Sequence, residues 1–256
     1  MTGLTLSLGE GALAGYLIAV ARVAGFVLVA PPFNTRAVPP LARSGVALVL
    51  AVPLTTWTMK GAPGLDSGEL WLLMLVQVLL GAILGYLVAL AVAVVQMVGD
   101  LLDVVGGFSL SMALDPLLLV QTSIMGRVHQ LVAVTLLFIT DGHLMVLQGL
   151  ARSVQLMPQP NLNWDQIGRA VTSGVAGMFL AALQVAAPLI AATLIADIAL
   201  GLLTRAAPAL NAFSLGFPLK ILLTLMLAGL VIAQLPDVLR ATISQAAATM
   251  LQISGG

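Results

Sequence analysis

The chain has 256 residues, 60% hydrophobic and only 8% charged, with a mean hydropathy of +1.11. Ordinary soluble domains carry roughly 25% charge, so this chain lacks the polar surface to cover itself in water. Ten Lys+Arg balance ten Asp+Glu, which leaves no basic field for nucleic acid, and zero cysteines exclude disulfides, thiolate catalysis and Cys-ligated metals. The composition is that of an integral membrane protein.

Six apolar segments are expected. The first, Ala12 to Pro31, contains Arg22; Glu10 before it and Pro31-Pro32 after it do not fit a signal peptide, so it is expected to stay on the mature chain. Pro31-Pro32 and Pro39-Pro40 bracket a turn at Phe33-Asn34-Thr35-Arg36. Ser44 to Met59 is the second segment, and Gly61 to Gly68 a loop. Leu70 to Gly99 then runs thirty residues without a charge, about 45 Å as one helix. Gly106-Gly107 begin a third loop, which reaches to about Gln121 with Pro116 inside it. The fourth segment is Val128 to Leu150, followed by a polar linker from Met157 to Trp164. Ala170 to Ala196 is the fifth, with a kink expected at Pro188, and Phe213 to Leu235 the sixth. These continuous runs lack the period-2 alternation of barrel strands. The expected fold is all-α: a membrane protein of about six apolar helical segments arranged as hairpins, some kinked or broken. Alternating segments put four basic residues on one side and five on the other, so charge does not fix orientation.

Few residues carry candidate chemistry. His129 and His143 lie fourteen apart, about 21 Å along one helix, and cannot bind one metal. Asp141 and His143 do not meet on a helix unless it breaks at Gly142. A proton relay and plain packing contacts both stay open for them. Asp100 and Asp103 share a face in a last helical turn, where the dipole opposes carboxylates, so something else must favour them: a neighbouring cation or a wet vestibule. Arg22 in an apolar helix must face protein, water or an acidic partner, not lipid. The chain has no P-loop, no H-E-x-x-H and no G-x-S-x-G elbow. No enzyme is expected, and no cofactor, catalytic residue or metal site.

Several strings resemble one family. They are Val38-Pro39-Pro40-Leu41-Ala42-Arg43 after Pro32-Phe33-Asn34, Gly107-Phe108-Ser109 with Asp115-Pro116, and Asp141-Gly142-His143. The clearest runs from Leu194-Ile195-Ala196-Asp197 through Gly201-Leu202-Leu203-Thr204-Arg205-Ala206-Ala207-Pro208 to Asn211-Ala212-Phe213-Ser214-Leu215-Gly216-Phe217-Pro218-Leu219-Lys220. Together they resemble the FliR family of flagellar type III export-gate proteins, over nearly the whole chain and in the same order. Leu144 departs from the pattern, because many relatives carry a second histidine there.

The resemblance implies a non-enzymatic gate subunit in the bacterial inner membrane, at the flagellar basal body. It would assemble with FliP-like and FliQ-like subunits, beside FlhB-like and FlhA-like export proteins, and pass unfolded flagellar subunits. It also implies one export-gate domain over 1–256, with a FliP-like part at 1–165 and a FliQ-like hairpin at 166–256. The loop at about 106–121 looks like the family's plug, with Gly106, Gly107, Phe108, Ser109, Leu110, Met112, Asp115 and Pro116 as its residues. Arg22, Asp141, His143, Asp197, Gly201, Arg205, Pro208 and Asn211 are expected at subunit interfaces, where partners would satisfy charges this chain does not evidently pair within itself. An injectisome homologue and a secondary transporter are the alternatives; a transporter would show matched broken helices in its two halves, which this sequence lacks.

Overall fold

Prolines and small polar residues set the helix boundaries. In the computed structural model, which describes residues 2–35, 38–108, 123–159, 162–207 and 212–255 (backbone only at 2–8 and 212–215), every regular element among the described residues is helical. The elements are α1 (Thr2–Val29), α2 (Pro40–Thr58), α3 (Gly68–Val105), α4 (Ile124–Ile139), α5 (Gly142–Leu156), α6 (Trp164–Ala206) and α7 (Ala212–Ile253). Pro40 opens α2 at a position where its missing N–H costs nothing, after an extended Pro39 (φ −59°, ψ 146°). Ser67 and Asn163 cap α3 and α6 by accepting from the Leu70 and Gln166 amides, at 3.3 and 3.1 Å. Arg205 lies in the last turn of α6, favoured there by the helix dipole.

Five of the described helices are long and apolar enough to cross a membrane, six if α4 and α5 form one broken span. The expected fourth segment is therefore two helices. The break falls at Thr140–Asp141, where Asp141 adopts a left-handed conformation (φ 56°) and its carbonyl accepts from the Leu144 and Met145 amides. Aspartate tolerates that region better than a bulky residue does. Consequently His129 and His143 sit on different helices, and the single-helix spacing expected for them does not apply. The α6 helix runs unbroken in its backbone pattern through Pro188.

The chain forms two compact units. One comprises residues 1–91, 141–175 and 242–256. In it α1 and α3 cross closely because glycines meet backbone: a Cβ at Gly81 would collide with the Arg22 carbonyl, one at Gly25 with the Val78 carbonyl, and one at Gly85 would lie 2.8 Å from Phe26 O. Such small-residue seams let helices associate in lipid, where apolar burial alone gives little drive. Phe26, Leu80 and Leu84 are buried on these two helices, and Ala14 and Ile18 form a cluster with Leu70. The α2 helix is fastened to α1 by Thr58 Oγ1 donating to Gly15 O at 2.7 Å. The other unit comprises residues 92–140 and 176–241, with a core of Val95, Val98 and Leu102 on α3, Ala133 and Leu137 on α4, and Val185, Leu189, Val231 and Leu235 on α6 and α7.

Candidate functional site

The start of the expected plug is ordered by the end of α3. Gly107 takes a left-handed conformation (φ 80°), its amide bonds Val104 O at 3.4 Å, and the Phe108 amide bonds Asp103 O at 3.1 Å. This is the Schellman pattern, which consumes the orphan carbonyls of a helix end and suits glycine. Gly106 is buried, and a Cβ there would lie 2.7 Å from Thr224 Oγ1 of α7; one at Gly107 would lie 3.5 Å from the Phe217 ring. Phe108 is half-buried. The remaining expected plug residues, Ser109, Leu110, Met112, Asp115 and Pro116, lie outside the described residues.

Behind this cap the carboxylates of α3 meet the first turn of α4. Asp103 is 3% exposed, and its Oδ1 accepts from the Met125 amide at 3.4 Å. Ser123 caps the same turn by accepting from the Gly126 amide at 2.7 Å. Asp100 packs on Gly126 so tightly that a Cβ there would collide with its Oδ1. The positive end of α4 thus supplies what the sequence left open for these two acids. Beside them His129 is buried, with Nδ1 2.8 Å from Met125 O, and since a carbonyl only accepts, Nδ1 donates. Its Nε2 is buried with no hydrogen-bond partner.

Arg22 corrects the expectation that a partner must complete it. It is 1% exposed and donates to Gln77 Oε1, to Ser153 O at 2.8 Å and to Met157 O at 2.6 Å. Gln77 in turn donates to Pro158 O at 2.8 Å. The cation is held by the carbonyl end of α5, where the dipole is negative. Asp141 is exposed and His143 half-buried on α5.

Asp197 also finds its partner within the chain. Lys220 Nζ lies 2.7 Å from Asp197 Oδ1, so α6 and α7 are tied by an ion pair at residues that are 47% and 27% exposed. The expectation that this acid stands uncompensated is corrected. Lys220 was missed as a site residue, although a signal existed: Asp197 lies eleven residues before Pro208 and Lys220 twelve after it, so an antiparallel hairpin turning near Pro208 brings them level. Gly201 is exposed, with no atom of the described residues within 4 Å of an added Cβ, and Arg205 is exposed. Pro208 and Asn211 lie outside the described residues. Among the described residues no group of three or more His, Cys, Asp or Glu is placed to hold a metal.

Buried charges met by helix ends, capped loops and span-length apolar helices describe a membrane scaffold, and the comparison with known families says which. Residues 13–246 match the model of the bacterial export proteins, family 1. The chain belongs to that family. It is 30% identical to the flagellar biosynthetic protein FliR of Bacillus subtilis, over 80% of this chain and 81% of the relative. The FliR of Escherichia coli K12 is also 30% identical, over 80% and 79%. The surface presentation of antigens protein SpaR of Shigella sonnei is 26% identical, over 80% of each chain. As a member of this family the chain is an integral membrane component of a type III export apparatus.

Proposed function

We propose that this chain is the FliR-type subunit of a flagellar export gate in the bacterial inner membrane. It assembles with FliP-like and FliQ-like subunits, beside FlhB-like and FlhA-like proteins, into the channel that unfolded flagellar proteins cross. The observation that carries this reading is the family match over residues 13–246, with flagellar relatives covering four-fifths of the chain. The open faces of α6 and α7 support it. Large apolar side chains stand exposed along both, Leu180, Leu194 and Ile198 on α6 and Leu222, Met226 and Leu230 on α7, and partner helices of similar chemistry would cover them. Asp141, His143, Gly201, Arg205, Pro208 and Asn211 belong to such contacts in this reading, and the 1–165 and 166–256 parts correspond to the FliP-like and FliQ-like subunits.

The α3–α4 connection acts as the plug. Phe108, Leu110, Met112 and Leu114 alternate with Ser109 and Ser111, a pattern that excludes water through side chains able to yield to a passing chain. The chain itself makes and breaks no bond; it positions apolar side chains across a passage.

Deleting the gene should abolish secretion of hook and filament subunits, and a tagged copy should restore it and co-purify FliP-like and FliQ-like proteins. Undiminished flagellar secretion in the deletion strain would overturn the reading. Loss confined to virulence-type effectors would favour the injectisome role that the SpaR similarity supports. For the plug, removing Gly107 to Met112 should leave the complex assembled and the membrane leaky to small solutes. Unchanged permeability and export would remove that assignment.

A further inference from the structure

All three tryptophans of the chain stand at helix ends: Trp57 in the last turn of α2, Trp71 in the first turn of α3, and Trp164 opening α6. None of them takes part in the contacts described above. We propose that they mark a bilayer edge: the exposed faces of α2 and of the first half of α3 meet phospholipid acyl chains, and Trp57, Lys60 and Trp71 sit among the headgroups. This needs only that the chain is a membrane protein, and it stands whether or not the gate is flagellar.

Contacts within one compact unit gather these ends. Thr58, next to Trp57, bonds Gly15 O of α1. Leu70, next to Trp71, clusters with Ala14 and Ile18 of the same stretch of α1, and with Ala62 and Leu65 of the α2–α3 loop. Gln159, five residues before Trp164, donates to Gly61 O of that loop at 2.7 Å. Charge collects at the same end, where Glu10, Lys60, Asp66, Glu69, Asp165 and Arg169 are all exposed. Trp71 and Trp164 are 69% and 62% exposed, so packing within the chain does not account for them. Indole is an apolar body with one N–H donor, and it is favoured where hydrocarbon meets water.

Away from this edge each helix carries an apolar stripe. On α3, exposed Leu72, Leu75 and Leu79 lie within about 100° of Trp71 around the axis. The stripe ends at exposed Tyr86, about 22 Å from Trp71 at 1.5 Å per residue, and none of Leu87 to Ala91 is exposed. On α2, Leu48, Val49 and Val52 are exposed between Arg43 and Lys60, which stand about 25 Å apart. Both lengths fall a little short of a roughly 30 Å hydrocarbon core, a mismatch that bilayers meet by thinning and end residues by snorkelling. Apolar stripes of one length, bracketed by aromatic or cationic side chains, are the pattern that a bilayer favours. A partner helix favours another, because helices in lipid pair through small residues that let backbones approach. On α3 those residues, Gly81 and Gly85, face α1, and the outward stripe presents large leucines.

The test uses the complex purified through a tag on this chain and reconstituted into phospholipid nanodiscs. The chain has no native cysteine, so with partner cysteines replaced, Val52→Cys, Leu72→Cys, Leu75→Cys, Leu79→Cys and Asp66→Cys can each carry one nitroxide. Collisions with oxygen, which dissolves in acyl chains, should exceed those with a water-soluble nickel chelate several-fold at positions 52, 75 and 79. The ratio should rise from 72 to 79 and invert at 66. Low rates with both probes at 52, 75 and 79 would mean that a partner subunit covers the face, and high nickel rates there that it stands in water; either result overturns the proposal. Where labels disturb assembly, the unlabelled complex decides. Bromine on acyl chains quenches indole on contact, so bromines near the headgroup should quench Trp71 several-fold more than bromines at the chain ends, read as the difference from Trp71→Phe. No quenching traceable to Trp71, or stronger quenching from the chain ends, would overturn its place among the headgroups.

Discussion

A guanidinium carries five N–H donors in a rigid fork, and at Arg22 the acceptors of α3 and α5 converge on that fork from different directions. Lysine has a point charge on a flexible stem and cannot span Gln77 Oε1, Ser153 O and Met157 O together. Arg22→Lys should therefore destabilise the purified complex by about 2 kcal/mol, the scale of one or two hydrogen bonds to a charged group. An unchanged melting temperature in detergent would contradict this account. The sequence marked Arg22 as a costly residue that must avoid lipid, and that much was legible from its place in an apolar run. Its acceptors were not legible, because Ser153 and Met157 contribute backbone oxygens 131 and 135 residues away. No side-chain pattern announces a carbonyl. Asp103 is the same case, with a backbone amide as its partner. The Asp197–Lys220 pair was readable in principle, from two opposite charges spaced evenly about Pro208.

Helix ends and breaks followed from proline, glycine and serine. The turn between α1 and α2, the stop of α3 at Gly106-Gly107 and the end of α6 near Arg205 all stand where the sequence puts them. The break at Asp141 was open in the sequence, since Gly142 permits it without requiring it. What the sequence hid was how the helices pair, because glycines that let backbones touch look like any other glycine. Gly81 and Gly201 separate the two meanings. Gly81→Ala drives a methyl into the Arg22 carbonyl and should cost about 1–3 kcal/mol of stability, whereas Gly201→Ala meets nothing among the described residues. A loss of subunit co-purification on Gly201→Ala would thus report a partner helix. The α6–α7 pair gives a companion test. Asp197→Ala leaves Lys220 without its counter-charge in apolar surroundings and should lower yield of the complex. The double exchange Asp197→Lys with Lys220→Asp should restore it if the pair serves the hairpin. Failure of the exchange, with the FliQ-like partner lost, would return Asp197 to the docking role first expected of it.

Across the whole molecule, helix length and bilayer thickness do not agree. The α3, α6 and α7 helices have 38, 43 and 42 residues, about 57 to 65 Å at 1.5 Å per residue, against a hydrocarbon core of roughly 30 Å. About twenty residues suffice to span, so roughly half of each helix lies outside hydrocarbon or is covered by other protein. Even charge on the two sides of the expected topology fits helices whose ends do not mark the membrane surface. With no native cysteine in the chain, single engineered thiols along α6 can map the boundary in intact cells and in opened membranes. Gly168 and Arg205 are both exposed and lie 37 residues apart, about 55 Å along the axis, so they cannot both sit in the hydrocarbon core. Cysteine at Gly168 should react with an impermeant maleimide in opened membranes, while cysteines at Phe179, Leu183 and Leu194, exposed apolar positions between them, should stay unreactive in the assembled complex. Uniform labelling along α6 would show a helix standing in water, and no labelling at either Gly168 or Arg205 would show one wholly enclosed. Either result would break the argument from length.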